Sequence, residues 1–167
     1  MADKSTIDTL IKQLSDNEGQ VREKARLTLV DIGKEATLPL TALLTAKEQQ
    51  TRWEAAKTLG AIADTAAIPA LITSMEDDIF DIRWLASEAL VTLGADSVKP
   101  LLEALKVRFD SLYLREEAHH VFKYILRDNP QANKLNAILK PVIEALNGSA
   151  SGVATPGAAQ KALEQLR

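Results

Sequence analysis

The stretch Thr51-Arg52-Trp53-Glu54-Ala55-Ala56-Lys57-Thr58-Leu59 returns 31 residues later as Ile82-Arg83-Trp84-Leu85-Ala86-Ser87-Glu88-Ala89-Leu90. Working outward, the same beat is found at Val21-Arg22 and at Leu114-Arg115, so four arginines stand at steps of 30, 31 and 32 residues. Three positions after each Arg is an Ala (Ala25, Ala55, Ala86, Ala118), and seven after it an apolar residue (Leu29, Leu59, Leu90, Phe122). A Pro follows the first three arginines by 17 positions, at Pro39, Pro69 and Pro100. A period near 30 residues marks one supersecondary unit that is copied and stacked.

Each unit reads as two helices. The Arg-bearing segment carries apolar residues at helical spacing, as in Leu85, Ala89, Leu90 and Leu93, with strong helix formers between them. The second segment begins at its Pro, where a missing N–H costs nothing in the first turn, and continues as Leu40-Leu43-Leu44, Leu71-Ile72-Met75 or Leu101-Leu102-Leu105. Thr51-x-x-Glu54 and Ser5-x-x-Asp8 have the form of capped helix starts, and Gly33 and Gly94 fall where helices should end. No sustained alternation of apolar and polar residues points to a strand. One helix pair cannot cover its own apolar stripe, so neighbours must stack. The expected class is all-α, a right-handed α-α superhelix, or solenoid, of about four to five helical hairpins.

These motifs, with the pair Leu59-Gly60 and the helix-starting prolines, resemble the short HEAT-like repeats named after phycobilisome lyases, over roughly residues 7 to 147. Such repeats usually have an Asp six residues before the Arg. Asp16 and Asp77 fit, whereas Ala46 and Phe109 depart from the pattern. The expected organisation is a repeat array over residues 1–147, opening with a capping helix that carries Ile7, Leu10, Ile11 and Leu14. A small, polar linker over 148–157 follows, and then a C-terminal helix over 158–167 that caps the stack through Ala159, Ala162, Leu163 and Leu166. The repeat arginines read as scaffold, each guanidinium bridging turn carbonyls or acids.

The 167 residues include no Cys, which excludes disulfides, thiolate metal sites and a Cys nucleophile and agrees with a reducing compartment. No targeting segment and no window near ~18 continuous apolar residues is present, so no membrane partner is expected and the cytoplasm is the expected location. Twenty Lys and Arg against 23 Asp and Glu give a net charge of −3, without a general pull toward polyanions.

Partial chemical motifs fail on closer reading. His119 and His120, adjacent on a helix, point about 100° apart and do not share one metal comfortably. Glu116-x-x-His119 is one copy of a pair that a di-metal bundle needs twice. Gly152 and Gly157 space like a phosphate loop, but Ala158 and Ala159 stand where Lys and Ser or Thr are needed. No catalytic residue, cofactor or metal ligand is therefore nominated, and the protein is expected not to be an enzyme.

The resemblance implies that the Arg-bearing helices line a concave surface, exposing positions −3, −2, +1, +2, +5 and +9 from each Arg. Applied here, this register selects Trp53, Glu54 and Lys57, then Phe80, Trp84, Leu85 and Glu88, and from the fourth unit Tyr113, Glu116, Glu117, His120 and Tyr124. Aromatic residues are only 4% of the chain, yet both Trp, both Tyr and one Phe map to this face. Trp and Tyr are common interface anchors, so the expected function is a non-catalytic scaffold binding another protein or a peptide. The carboxylates favour a partner with basic groups. The oligomeric state is left open.

Two other classes compete. The family name suggests a chromophore lyase or a partner of one, but no residue can be nominated for that chemistry. A nucleic-acid-binding HEAT-like protein would use aromatic and basic concave residues. Residues 97–140 hold eight Lys and Arg against five acids, an excess too thin and too dispersed to favour nucleic acid.

Overall fold

A computed structural model of the chain describes residues 3–129, 132–148 and 151–166. Its α-helices are α1 (Lys4–Gln13), α2 (Gly19–Ile32), α3 (Thr37–Leu43), α4 (Gln49–Ile62), α5 (Ile68–Ser74) and α6 (Phe80–Leu93), then α7 (Ala95–Val107), α8 (Leu112–Asp128), α9 (Asn133–Asn147) and α10 (Ser151–Gln165). There is no strand among the described residues, and the fold is all-α. The chain forms two compact units, residues 1–92 and 93–167.

In the first unit, α2, α4 and α6 carry the repeat arginines while α3 and α5 are the Pro-bearing partners. The helix α1 packs on α2 and α3, as a cap should, and α2 lies against α4. Residues four apart share a helix face, so the Ala and the apolar residue of each beat form one stripe. Ala25, Leu29, Ala55, Leu59, Ala86 and Leu90 are buried accordingly. In the second unit, Ala118 and Phe122 of α8 are buried in the same way.

The arginines lock each helix to the turn before it. Arg22 Nη1 donates to the carbonyls of Asp16 (2.8 Å) and Asn17 (3.1 Å). Arg52 does the same to Ala46 and Lys47, both at 3.1 Å, and Arg83 to Asp77 (2.8 Å) and Asp78 (3.3 Å). In the second unit Arg115 donates to the Phe109 carbonyl. Every residue type has a carbonyl, which is why Ala46 and Phe109 can stand where the family has Asp. The Asp side chain serves other donors. Asp16 Oδ1 accepts from the Glu18 N–H (2.8 Å) and Asp77 Oδ1 from the Ile79 N–H (2.9 Å), closing the turn.

Several boundaries differ from the sequence reading. Glu48, not Thr51, stands at the N-cap of α4, and Thr51 lies inside the helix with its hydroxyl 2.9 Å from that of Ser15. Asp3 caps α1 by accepting from the Ser5 N–H, two residues earlier than expected. Pro39 and Pro69 sit in first turns, but Pro100 lies inside α7, which begins five residues before it. Gly33 ends α2 at φ 77°, a left-handed conformation that a Cβ would strain.

The expected linker over 148–157 is a further correction, since α10 begins at Ser151; residues 149 and 150 lie outside the described residues. Ser151 to Gly157 are poor helix formers, but α10 packs against both α7 and α9, burying Thr155, Ala159, Ala162 and Leu163. Tertiary packing of one face overrides weak propensity there. The expected C-terminal stripe is thus buried except Leu166, which is half-buried.

Candidate functional site

The faces opposite the buried stripes of α4 and α6 present the first unit's candidate residues. On α6, Phe80 is 60% exposed and Trp84 45% exposed, both large for apolar side chains. Leu85 and Glu88 are half-buried beside them. On α4, Trp53 is half-buried and carries the Lys57 ammonium 4.4 Å above its ring, a cation–π contact that orders both side chains. The Arg83 guanidinium lies 5.6 Å from the Phe80 ring.

Between these helices runs a cleft of about 210 Å³. Ala56, Gly60 and Ala89 form its floor; Lys57, Trp84 and Glu88 stand along it. Gly60 sets the floor height: a Cβ there would approach that of Ala89 to 3.3 Å. The sequence reading takes Ala56 and Ala89 as parts of apolar stripes and Gly60 as half of a family pair, none of them as the floor of a cleft. The signal was available, because the +4 and +8 positions of α4 and the +6 position of α6 are all Ala or Gly.

Glu54 was expected in the open face, and it is not there. It is 4% exposed and accepts from Arg22 Nε and Arg26 Nε, each at 3.2 Å, and from Gln50 Nε2, also at 3.2 Å. Position +2 faces the preceding Arg-bearing helix, so this carboxylate is a clamp between α2 and α4. Glu117, at the same +2 position in the second unit, is likewise buried at 8% exposed. Both glutamates at +2 are therefore buried, whereas the +1 and +5 residues of these helices are half-buried or exposed.

Arg52 makes the other clamp. Its Nε and Nη2 donate to Asp77 Oδ2 (2.7 Å) and Oδ1 (3.0 Å), and Nη2 also to Asp78 Oδ1 (2.8 Å). Burial pushes the Asp77 carboxyl up, but hydrogen bonds from Arg52 and the Ile79 N–H outweigh it and leave the group below the usual carboxylate range. The same bonds, donated by Arg52 to Asp77, raise Arg52.

The second unit presents its candidates on α8. Tyr113 is 42% exposed, Glu116 is exposed, and His120 and Tyr124 are half-buried. His120 stacks on Tyr124 with ring centroids 4.4 Å apart, and the Arg127 guanidinium covers Tyr124 at 4.1 Å. His119 is held below its ordinary value by burial and by the charges of Lys123 and His120. Val107 at the end of α7, Phe109 in the following turn and Leu112 at the start of α8 are also exposed, and of these only Leu112, three residues before Arg115, fell within the sequence register. Among the described residues no group of three or more His, Asp or Glu could hold a metal ion, and no helix is long and apolar enough to cross a membrane.

Two crystal structures of engineered proteins resemble this chain. One is 19% identical, covers 96% of this chain and 78% of its own, and has a TM-score of 0.40. The other is 21% identical, covers 99% and 86%, and has a TM-score of 0.44. No curated protein matches. The family model for HEAT repeats matches residues 37–123, just over half of the chain and the span that holds three of the four repeat arginines. With its 30-residue beat and stacked helical hairpins, the chain belongs to the HEAT-repeat family.

Proposed function

We propose that the protein is a non-catalytic binding module of the cytoplasm, and that the α4/α6 face of its first unit receives a protein or peptide. The observation that carries this reading is the exposure of Phe80 and Trp84 on a helix whose apolar stripe is already satisfied on the opposite face. Core packing does not require either ring where it stands. A Trp beside a small-residue cleft is the arrangement in which one buried partner side chain contributes most to affinity. Trp53, held by Lys57, widens the surface with little further loss of side-chain freedom on binding. The α8 face, with Tyr113, Glu116, His120 and Tyr124, supplies a second surface of the same kind.

The test is a pull-down from native lysate with the wild type, a Trp53→Ala/Trp84→Ala variant and a Leu38→Ser variant. Leu38 is an exposed apolar residue on the Pro-bearing helix α3, outside the proposed α4/α6 face, and reports indiscriminate hydrophobic capture. A partner retained by Leu38→Ser and lost from the double Trp variant, with unchanged helical circular dichroism, supports the reading. Equal capture by all three proteins counts against it.

A further inference from the structure

We infer that the row on α6 formed by exposed Asp81 and Trp84 and half-buried Glu88 is a seat for an arginine of a cationic partner peptide. The inference rests on the binding face proposed above and names what fills it. Asp81, Trp84 and Glu88 lie at i, i+3 and i+7, so they share one side of the helix, with neighbouring Cβ atoms roughly 5–6 Å apart. The result is an indole with a carboxylate one turn to either side. A guanidinium lies flat on an indole, drawn by the ring's quadrupole, and its edge donors remain free for carboxylates that flank it in its own plane. A lysine ammonium makes the first contact but lacks the planar fork for the second.

The cleft beside Trp84 suits the rest of such a side chain. Its floor of Ala56, Gly60 and Ala89 offers apolar surface to the aliphatic stem. The unit's own cations that stack on rings engage other rings than Trp84: Lys57, which also lines the cleft, lies on Trp53, and Arg83 lies over Phe80. Charge balance points the same way. The first unit has 15 Asp and Glu against ten Lys and Arg, and Arg22, Arg26 and Arg52 are committed to ion pairs between helices. The unit's net negative charge therefore favours a cationic partner over an acidic one.

The experiment titrates the protein with short synthetic peptides of alternating Leu-Arg, Leu-Lys, Leu-Ser and Leu-Glu, read by calorimetry and by Trp84 fluorescence in the Trp53→Phe variant. The expected result is binding of Leu-Arg, about threefold weaker binding of Leu-Lys, and none of the other two. Asp81→Asn/Glu88→Gln should weaken Leu-Arg about tenfold, and Trp84→Ala more than that, with melting curves confirming that both variants fold. Leu-Ser or Leu-Glu binding as tightly as Leu-Arg, and depending on Trp84, overturns the arginine seat while leaving the binding face intact. Leu-Arg binding that is unchanged by Trp84→Ala or by the double carboxamide variant also overturns it. If no peptide perturbs Trp84, the seat falls, and the three-variant lysate comparison decides the face independently.

Discussion

Arg22 and Arg52 occupy the same place in consecutive repeats, and each reaches forward to a carboxylate of the next repeat, but the carboxylates come from different places. Arg52 finds Asp77, in the turn six residues before the next Arg. Arg22 would meet Ala46 at that position and instead takes Glu54, two residues after the next Arg, which it shares with Arg26. The first clamp is part of a turn and also accepts a backbone N–H; the second is part of a helix and collects two guanidiniums. What stays fixed is the need for a negative charge at the forward face of each Arg. The sequence position that supplies it is free to move by eight residues.

The largest expected effect comes from breaking the helix-borne clamp. Glu54→Ala leaves Arg22 and Arg26, whose side chains are only 18% and 16% exposed, without their shared carboxylate. The expected cost is about 3 kcal/mol in urea unfolding, less any relaxation of the guanidiniums toward water. Adding Ala46→Asp to that variant converts the first junction into a copy of the second and should restore about 1 kcal/mol. No recovery would show that the two junctions are not interchangeable.

A smaller effect sharpens the turn-borne clamp. Asp77→Asn should cost about 1–2 kcal/mol at neutral pH and change the acid limb of the stability curve. Because the folded protein holds Asp77 below its ordinary value, its contribution is complete above the unfolded pKa of about 3.9 and is lost as pH falls from there through the folded value. The wild type should therefore lose stability in that window more steeply than Asp77→Asn. Parallel curves would mean that Asp77 is not held ionised by Arg52.

The smallest effect is a gain, at the place where neither clamp exists. In the second unit the Arg115 Nε is buried with no hydrogen-bond partner among the described residues. Gly152, in the first turn of α10, lies where an added Cβ would be 3.8 Å from Arg115 Nη1. Gly152→Asp would bring a carboxylate to this guanidinium and to the positive end of a helix, for about 0.5–1 kcal/mol of stabilisation. A loss of melting temperature would argue against a missing clamp.

Much of the fold was legible because burial in a repeat is a matter of period. The Ala at +3 and the apolar residue at +7 recur, and they are the core. The arginines were legible as scaffold for the same reason. The +2 position was not, because the family register says which side of a helix is open on average and cannot see a local charge demand. Arg22 and Arg26, one turn apart with only the exposed Glu23 near them on their own helix, were the available sign that Glu54 is spoken for. The linker reading failed in the opposite direction. Gly, Ser, Thr and Pro over 151–157 describe what that segment does alone, not what it does between α7 and α9. Of the candidate surface, the positions of Phe80, Trp84 and Tyr113 were legible, while the cleft beside Trp84 depends on how closely two helices approach at Gly60.

The repeat register exposes Trp84 on one side of α6 and seals Ala86 and Leu90 on the other. Acrylamide quenching of single-Trp proteins tests this directly, with Trp53→Phe reporting Trp84 and Trp84→Phe reporting half-buried Trp53. Trp84 should quench like an indole open to solvent and more strongly than Trp53. A Trp84 shielded as well as Trp53, or better, would contradict the register and the binding face built on it.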